Sequence, residues 1–290
     1  MWPAMKGGRP LQNGRIKFGL LAAVALLAAG CASTDIETES RNFQVQETAA
    51  VAGGASGQDG AAIRSLVAAS GPTYVTLVVS DPNNSGAIVS QRDRQKTAVT
   101  SGSGFVVDHN GYIMTAAHVA VQKGNTVQAR AANGRIYSGD VISILPENDM
   151  ALIKLRGYAG KSVTPAPSRC IAPGSMVYSL GRPHAQGDTA RIGQVESQRY
   201  GRPVRYGKFG YPDAMVLRLS TQKGESGGPL FDSHGELVGM VVSTLYDNAG
   251  HPLNLAHAVP LEKLASFLCA NHGCSGGWAS AARQAGCGGT

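Results

Sequence analysis

Ser226, set in the run Gly224-Glu225-Ser226-Gly227-Gly228-Pro229-Leu230, is the residue of this sequence best placed to act as a nucleophile. Glycines on either side let a backbone bend sharply and aim its N–H groups at one point, the local geometry an attacking serine needs. A serine hydroxyl attacks only when a base takes its proton, so the run predicts a histidine elsewhere, oriented in turn by a carboxylate. Both partners are present. His118 lies in Thr115-Ala116-Ala117-His118-Val119, just after an apolar run, and Asp149 stands at the head of the strand-like Met150-Ala151-Leu152-Ile153-Lys154-Leu155. Each residue alone has a blander reading, because Ser-Gly-Gly is ordinary loop sequence and a single histidine is usually a surface or core residue. Three matched stretches in the order His, Asp, Ser carry the chemistry together. Glu225 complicates it, since a carboxylate beside developing negative charge must point away or pair with a cation.

The elements that must position these residues are mostly short strands. Tyr74–Val79 is a β-branched run ended by Asp81-Pro82-Asn83-Asn84, and residues 83–97 read as an exposed loop with a regulatory or substrate-contacting loop as the alternative. Gly104–Val107 and Tyr112–Thr115 flank Asn110-Gly111, a strong hairpin signal that delivers His118 to a barrel edge. Strands near Thr126–Ala131, Ile136–Ile144 and Met150–Leu155 complete a first barrel, and the Gly, Pro and Ser of residues 157–174 read as a linker. Met176–Leu180, Ala190–Gln198, Met215–Leu219, Glu236–Thr244 and Leu255–Val259 make up a second barrel. Between these, Arg199, Arg202, Arg205 and Lys208 alternate with aromatics, a cluster read as a solvated loop at the site's rim in preference to a nucleic-acid surface. Ile63, Leu66 and Val67 suggest a short helix at 61–69, and Leu261, Leu264, Ala265 and Leu268 a helix opened by Pro260 and ended near Gly273.

These motifs resemble those of the trypsin-like serine peptidases. The similarity runs from about Tyr74 to Leu268 and is greatest to the bacterial HtrA/Deg branch, which pairs Ser-Gly-Ser-Gly-Phe (Ser101–Phe105) with a following Gly-Tyr-Ile…Thr-Ala-His segment, here Gly111–His118. The resemblance implies an all-β chymotrypsin-like fold of two six-stranded antiparallel barrels with a C-terminal helix. It implies Ser226 as nucleophile, His118 as general base and then acid, Asp149 as the group orienting the imidazole, and the N–H groups of Gly224 and Ser226 as oxyanion hole. That branch usually has Asn where this chain has Glu225. The chymotrypsin branch has an Asp that pairs with a newly cut N-terminus, but no Ile-Val-Gly-Gly-like start precedes the first barrel here. By the same resemblance the substrate pocket is floored by Ser220 and walled by Ser243, Thr244 and Leu245, which implies a preference for small or medium apolar side chains. Thr221 is also similar to a glutamyl-endopeptidase pocket residue, without a histidine that can be placed beside it. HtrA relatives commonly continue into PDZ domains; 17 residues follow Gly273, too few for one.

Composition agrees with an all-β barrel class: 43% hydrophobic and 16% charged residues with 38 glycines can bury a large core. The net charge of +7 invites a nucleic-acid partner, but Lys6, Arg9, Arg15 and Lys17 supply four of those charges in what reads as a signal peptide over residues 1–30. Its apolar run, Phe18–Ala29, is shorter than the ~20 residues of a comfortable membrane span. Leu27-Ala28-Ala29-Gly30-Cys31 resembles a lipoprotein signal, which would make Cys31 the lipidated first residue, on residues 31–60 as a flexible tether. Ala32 and Ser33 resemble signals that allow passage to the outer membrane. Cys170, Cys269, Cys274 and Cys287 then remain for disulfides, with three connectivities open and a bridge from Cys170 to the C-terminal helix as the guess. No metal or other cofactor is implied, because no Cys-x-x-Cys pair appears and His272 is a lone candidate ligand. The reading is a peptidase domain over 61–273, a Gly-rich tail over 274–290, and an exported, lipid-anchored endopeptidase of envelope polypeptides. The alternative is a latent or non-catalytic binding lipoprotein on the same scaffold.

Overall fold

A computed structural model describes residues 43–47, 57–82, 98–167, 170–247 and 249–283. The signal segment, Cys31, the loop at 83–97 and Cys287 lie outside the described residues. The first described strand, β1 (Gln44–Glu47), is followed by helix α1 (Gly57–Ser70). Strands β2 (Tyr74–Ser80), β3 (Ala98–Val106), β4 (Tyr112–Thr115), β5 (Thr126–Arg130), β6 (Ile136–Leu145) and β7 (Met150–Leu155) then close into an antiparallel barrel in the order β2-β3-β4-β7-β6-β5. Alternation sets each strand's faces: along β5, Val127 and Ala129 are buried while Thr126, Gln128 and Arg130 stay half-exposed. The β3–β4 turn is closed by Asp108, whose carboxylate accepts the N–H groups of Asn110 (2.9 Å) and Tyr112 (3.1 Å), with Gly111 at φ +82°. A short helix α2 (Ala117–Ala120) leaves β4 and carries His118.

The second barrel is formed by β8 (Met176–Gly181), β9 (Thr189–Ser197), β12 (Met215–Arg218), β13 (Pro229–Asp232), β14 (Leu237–Tyr246) and β15 (Pro252–Pro260). They run β9-β12-β15-β14-β13-β8, and a β8–β9 pairing closes the ring. Its sixth strand, β13, begins one residue after Gly228, in sequence whose glycines and proline read as turn. A separate hairpin, β10 (Val204–Tyr206) with β11 (Phe209–Tyr211), leaves the barrel between β9 and β12. The linker expected at 157–174 is stitched to both barrels: the N–H of Val163 donates to Val106 O (2.9 Å), and that of Leu237 donates to Thr164 O (2.7 Å).

Three expectations change. Residues 31–60 are not wholly a tether, because Gln44–Glu47 pair in parallel with Thr189–Ile192 of β9, on the edge that β12 leaves open; α1 likewise starts at Gly57. Composition reports too little apolar surface for an independent core, but an unpaired strand edge supplies backbone partners that composition does not register. Residues 274–290 are not simply a tail: α3 (Leu261–His272) is followed by α4 (Gly276–Ala282), whose Trp278 is 8% exposed and donates from Nε1 to Val107 O at 3.2 Å. Cys269 does not bridge to Cys170, because the chain reverses at Gly273 (φ +77°) and brings Cys274 to 4.7 Å from it, Cα to Cα, where the two are disulfide-bonded. Cys170 is disulfide-bonded as well. The end of α3 meets the first barrel, with His272 stacked on Tyr112 and its Nε2 3.0 Å from Asp108 Oδ2.

Trp278 therefore ties the C-terminal helices to the end of β3, where the chain turns toward β4 and the His118 segment. Trp278→Ala is expected to cost about 3–5 kcal/mol in chemical denaturation, and Trp278→Phe, which keeps most of the packing, about 1 kcal/mol. Unchanged denaturation midpoints in both variants would mean that α4 is not part of the cooperative fold.

Candidate active site

Asp149 is fully buried and sits in the left-handed region (φ 51°), where the one-turn helix Pro146–Asn148 hands over to β7. A desolvated carboxylate needs donors to stay charged, and three arrive from distant parts of the chain. The backbone N–H of His118 donates to Oδ1 at 2.9 Å. His118 Nδ1 lies 2.9 Å from Oδ2 and 3.1 Å from Oδ1, so a proton on Nδ1 is donated to the carboxylate and Nε2 is left as the basic nitrogen. The third is the phenol of Tyr206, at the tip of the β10–β11 hairpin, which donates to Oδ2. The Tyr206 phenol oxygen lies 3.4 Å from His118 Nδ1, and the Tyr206 ring meets the imidazole edge-on at 5.6 Å between centroids. Burial, then the charge of Asp149, hold the Tyr206 phenol far above its ordinary pKa, so it stays a donor.

Ser226 belongs to the second barrel, and its turn is pressed against the first. The N–H of Ser103 in β3 donates to Ser226 O at 2.9 Å, and the Ser103 hydroxyl donates to Gly224 O at 2.8 Å. Gly227 (φ +84°) packs so closely that a Cβ there would lie 2.3 Å from both Ser103 O and Thr115 Oγ1 and 3.0 Å from Ala116 N, two residues before His118. Gly224 (φ +100°) is equally confined, since a Cβ would lie 2.4 Å from Arg182 O. The turn is held internally by Glu225 N–H donating to Gln222 O (3.1 Å) and by Gly228 N–H donating to Glu225 O (3.0 Å). Neither the N–H of Gly224 nor that of Ser226 donates to another group among the described residues. Two unspent N–H donors flanking one residue and beside a hydroxyl are the groups an oxyanion requires. The Ser226 hydroxyl itself donates to Val242 O at 3.3 Å, not to His118.

The expected pocket residues separate. Ser220 Oγ donates to Asn254 Oδ1 (3.0 Å), and Thr244 shares a 2.7 Å hydroxyl contact with Thr221. Ser243 faces the other side of β14, where its hydroxyl meets Tyr211 at 2.7 Å and His257 Nδ1 at 3.4 Å. Leu245, two residues on, is half-buried. The loop with alternating cations and aromatics is the hairpin that covers Asp149, and three of its four cations are engaged locally: Arg199 with Asp213 at 2.7 Å, Arg202 over the Tyr200 ring and Lys208 over the Phe209 ring. Sequence reasoning passed over Tyr206, Ser103 and Arg191. A charge inside the apolar strand Thr189-Ala190-Arg191-Ile192 was a signal for the last, whereas Tyr206 had none, because its partner lies 57 residues away. The carboxylate of Glu225 is turned inward, where Arg191 Nε donates to it at 2.7 Å.

With this geometry in view, comparison with known proteins is informative. Residues 102–240 match the family described as trypsin-like peptidase domain. The chain is 31% identical over 185 residues to serine protease HTRA1 of Xenopus tropicalis, covering 62% of this chain and 38% of that protein. It is 29% identical over 180 residues to a probable periplasmic serine endoprotease, DegP-like, of Brucella suis biovar 1, covering 61% of this chain and 34% of that protein. The chain thus spans little more than a third of the length of these relatives. Among solved structures, the Mycobacterium tuberculosis Rv3671c protease in its inactive form shares the fold at a TM-score of 0.57 and 22% identity, over 79% of this chain and 100% of that one.

Two outcomes follow from the hydrogen bonds around the dyad. Tyr206→Phe keeps the ring against His118 but removes one of the three donors to Asp149, and is expected to slow acylation of Ser226 by about tenfold, on the order of one charged hydrogen bond; a parental rate would show that Tyr206 is only a cover. His257, buried beneath the hairpin against Tyr211 (2.8 Å), has its pKa pushed down to about 4 by burial and by Arg202. Its neutral form is favoured by folding, so this stability is complete above the unfolded-state value near 6.5 and is lost as pH falls toward 4. Denaturation midpoints should drop over that window, and His257→Gln should flatten the drop; identical pH profiles would contradict the assignment.

Proposed function

We propose that this chain, which carries a trypsin-like serine peptidase domain with HtrA and DegP relatives, hydrolyses peptide bonds through Ser226, His118 and Asp149 by way of an acyl-enzyme. The observation that carries the reading is the pairing of partly exposed His118 with buried Asp149, next to a glycine-framed serine turn whose Gly224 and Ser226 N–H groups are unspent among the described residues. On substrate binding, Ser226 Oγ turns from Val242 O to His118 Nε2 and attacks the carbonyl carbon as Nε2 takes its proton. The carbonyl oxygen becomes an oxyanion between the two N–H groups, each worth roughly 3–4 kcal/mol. Collapse breaks the C–N bond, and His118 returns the proton to the departing amine. A water, deprotonated by the same nitrogen, then releases the acid and regenerates Ser226. Asp149 holds the imidazole in the tautomer with Nδ1 protonated and stabilises the imidazolium.

The substrate is an exposed polypeptide. Ser220, Thr221, Thr244 and Asn254 bring hydroxyl and amide groups already bonded to one another, and no charged side chain, which supports an uncharged small or medium residue at the cleaved bond. The basic, lipobox-like start of the sequence and the periplasmic designation of the DegP-like relative support export to the bacterial envelope, with Cys31 as a lipid anchor on the periplasmic side and the outer membrane as destination. A latent enzyme is the second reading, favoured by the Ser226 hydroxyl resting on Val242 O rather than on the base. A complete His, Asp and Ser set gives no support to a purely non-catalytic binding protein.

Cleavage of a mixture of unstructured peptides by the purified chain tests the reading. The parent is expected to release fragments ending mainly in small or medium uncharged residues, and Ser226→Ala and His118→Ala are each expected to lose roughly 10⁴-fold or more of that rate. Fragments formed equally by parent and Ser226→Ala would rule out the serine mechanism. Cleavage that starts only after envelope extract is added would favour the latent form.

A further inference from the structure

Glu225 lies inside the turn that offers the oxyanion donors, yet its carboxylate is 2% exposed. Gly181 backs it so tightly that a Cβ there would come within 2.7 Å of Glu225 Cγ. Its Oε1 accepts from Arg191 Nε at 2.7 Å and its Oε2 accepts the backbone N–H of Gln222, at the start of the same turn. Arg191, 4% exposed, is on β9 and has a second commitment. Its Nη1 donates to the side-chain oxygen of Gln46, which stands opposite it in the parallel β1–β9 register. That ladder is continued by the N–H of Gln44 donating to Asp188 O at 2.9 Å. Asp188 ends the loop whose Arg182 O abuts Gly224 and whose His184 N–H donates to Lys223 O at 2.8 Å. The strand that precedes the barrels thus reaches the oxyanion turn by two short routes.

A buried carboxylate that loses its cation costs several kcal/mol and seeks water. For Glu225 the path to water leads out through the turn, because Gly181 closes the other side. Moving it would rotate the peptide planes that carry the Gly224 and Ser226 N–H groups. A neutral side chain at 225 would carry no such penalty and would need no cation.

We infer that Gln46 and Arg191 are positioning residues for the oxyanion hole: docked β1 steadies Arg191 through Gln46, and Arg191 keeps Glu225 inside and the turn in its working shape. The inference rests on the reading of Ser226 as nucleophile and of Gly224 and Ser226 as oxyanion donors. It makes residues 43–47 part of the catalytic unit, so that undocking the strand switches the site off without touching the triad.

The test is the rate at which a fluorophosphonate modifies Ser226 in the full chain, with circular dichroism confirming the fold of each variant. Arg191→Met is expected to slow modification about 100-fold, the scale of one lost oxyanion donor, and Gln46→Ala about fivefold, within the range of one hydrogen bond to a charged group. Adding Glu225→Asn to Arg191→Met removes the stranded charge and is expected to bring the rate back to within about tenfold of the parent, on the same scale of one charged contact. That recovery separates positioning from general loss of stability. Arg191→Met reacting at the parental rate, or a folded double variant no faster than Arg191→Met, overturns the inference. If Arg191→Met alone does not fold, Gln46→Ala decides: reaction at the parental rate overturns the inference and a slowed reaction supports it. A parent that does not react overturns the nucleophile reading first, and this inference with it.

Discussion

Two carboxylates are kept out of water beside one serine, and much of the surrounding structure supplies what they need. Asp149 has no exposure and Glu225 has 2%. In a medium where an unpaired charge costs several kcal/mol, each must gather donors from wherever the fold can bring them. Asp149 draws on the short helix after β4 for His118 and on the hairpin of the second barrel for Tyr206. Glu225 draws on β9 for Arg191, and through it on a strand that precedes both barrels. Burial pushes the Glu225 carboxyl up, and the Arg191 guanidinium opposes that shift. In the proposed mechanism the two demands serve opposite ends: one would orient a base, the other would hold donors open for an anion.

The barrels meet these demands by close approach more than by large side chains. Gly227 admits Ser103 and Thr115 to the Ser226 turn, and Gly224 admits Arg182, at distances where any Cβ would collide with backbone or with a packed hydroxyl. Ser103 spends both its N–H and its hydroxyl on that turn, so the first barrel sets the pose of a residue carried by the second. The hairpin adds a cover over the dyad and is itself footed, through its Tyr211 hydroxyl, on Ser243 and His257.

Residues whose role depends on a local bend were legible in the sequence. Gly224, Ser226 and Gly227 declared the turn, Asn110-Gly111 the hairpin, and β-branched runs most of the twelve barrel strands. Residues whose role depends on what lies opposite were not. Strand β1 has a composition suited to a tether and is recruited by a free edge of β9. Trp278 sits in a stretch of Gly, Ala and Ser and is defined by Val107 across the fold. Ser243 and Thr244 looked equivalent as pocket wall, but strand alternation sends one to the hairpin and the other to Thr221. Glu225 was visible as an anomaly, and only the placement of Arg191 explained it.

The account's central claim is that the serine turn is already shaped to receive an oxyanion. A crystal structure of the chain reacted with a phosphonate inhibitor tests it most directly. The predicted adduct is on Ser226 Oγ, with its phosphoryl oxygen within about 3 Å of both the Gly224 and Ser226 nitrogens, Glu225 still on Arg191, and β1 in place. A phosphoryl oxygen that points away from those two nitrogens, or an adduct on another residue, would contradict it.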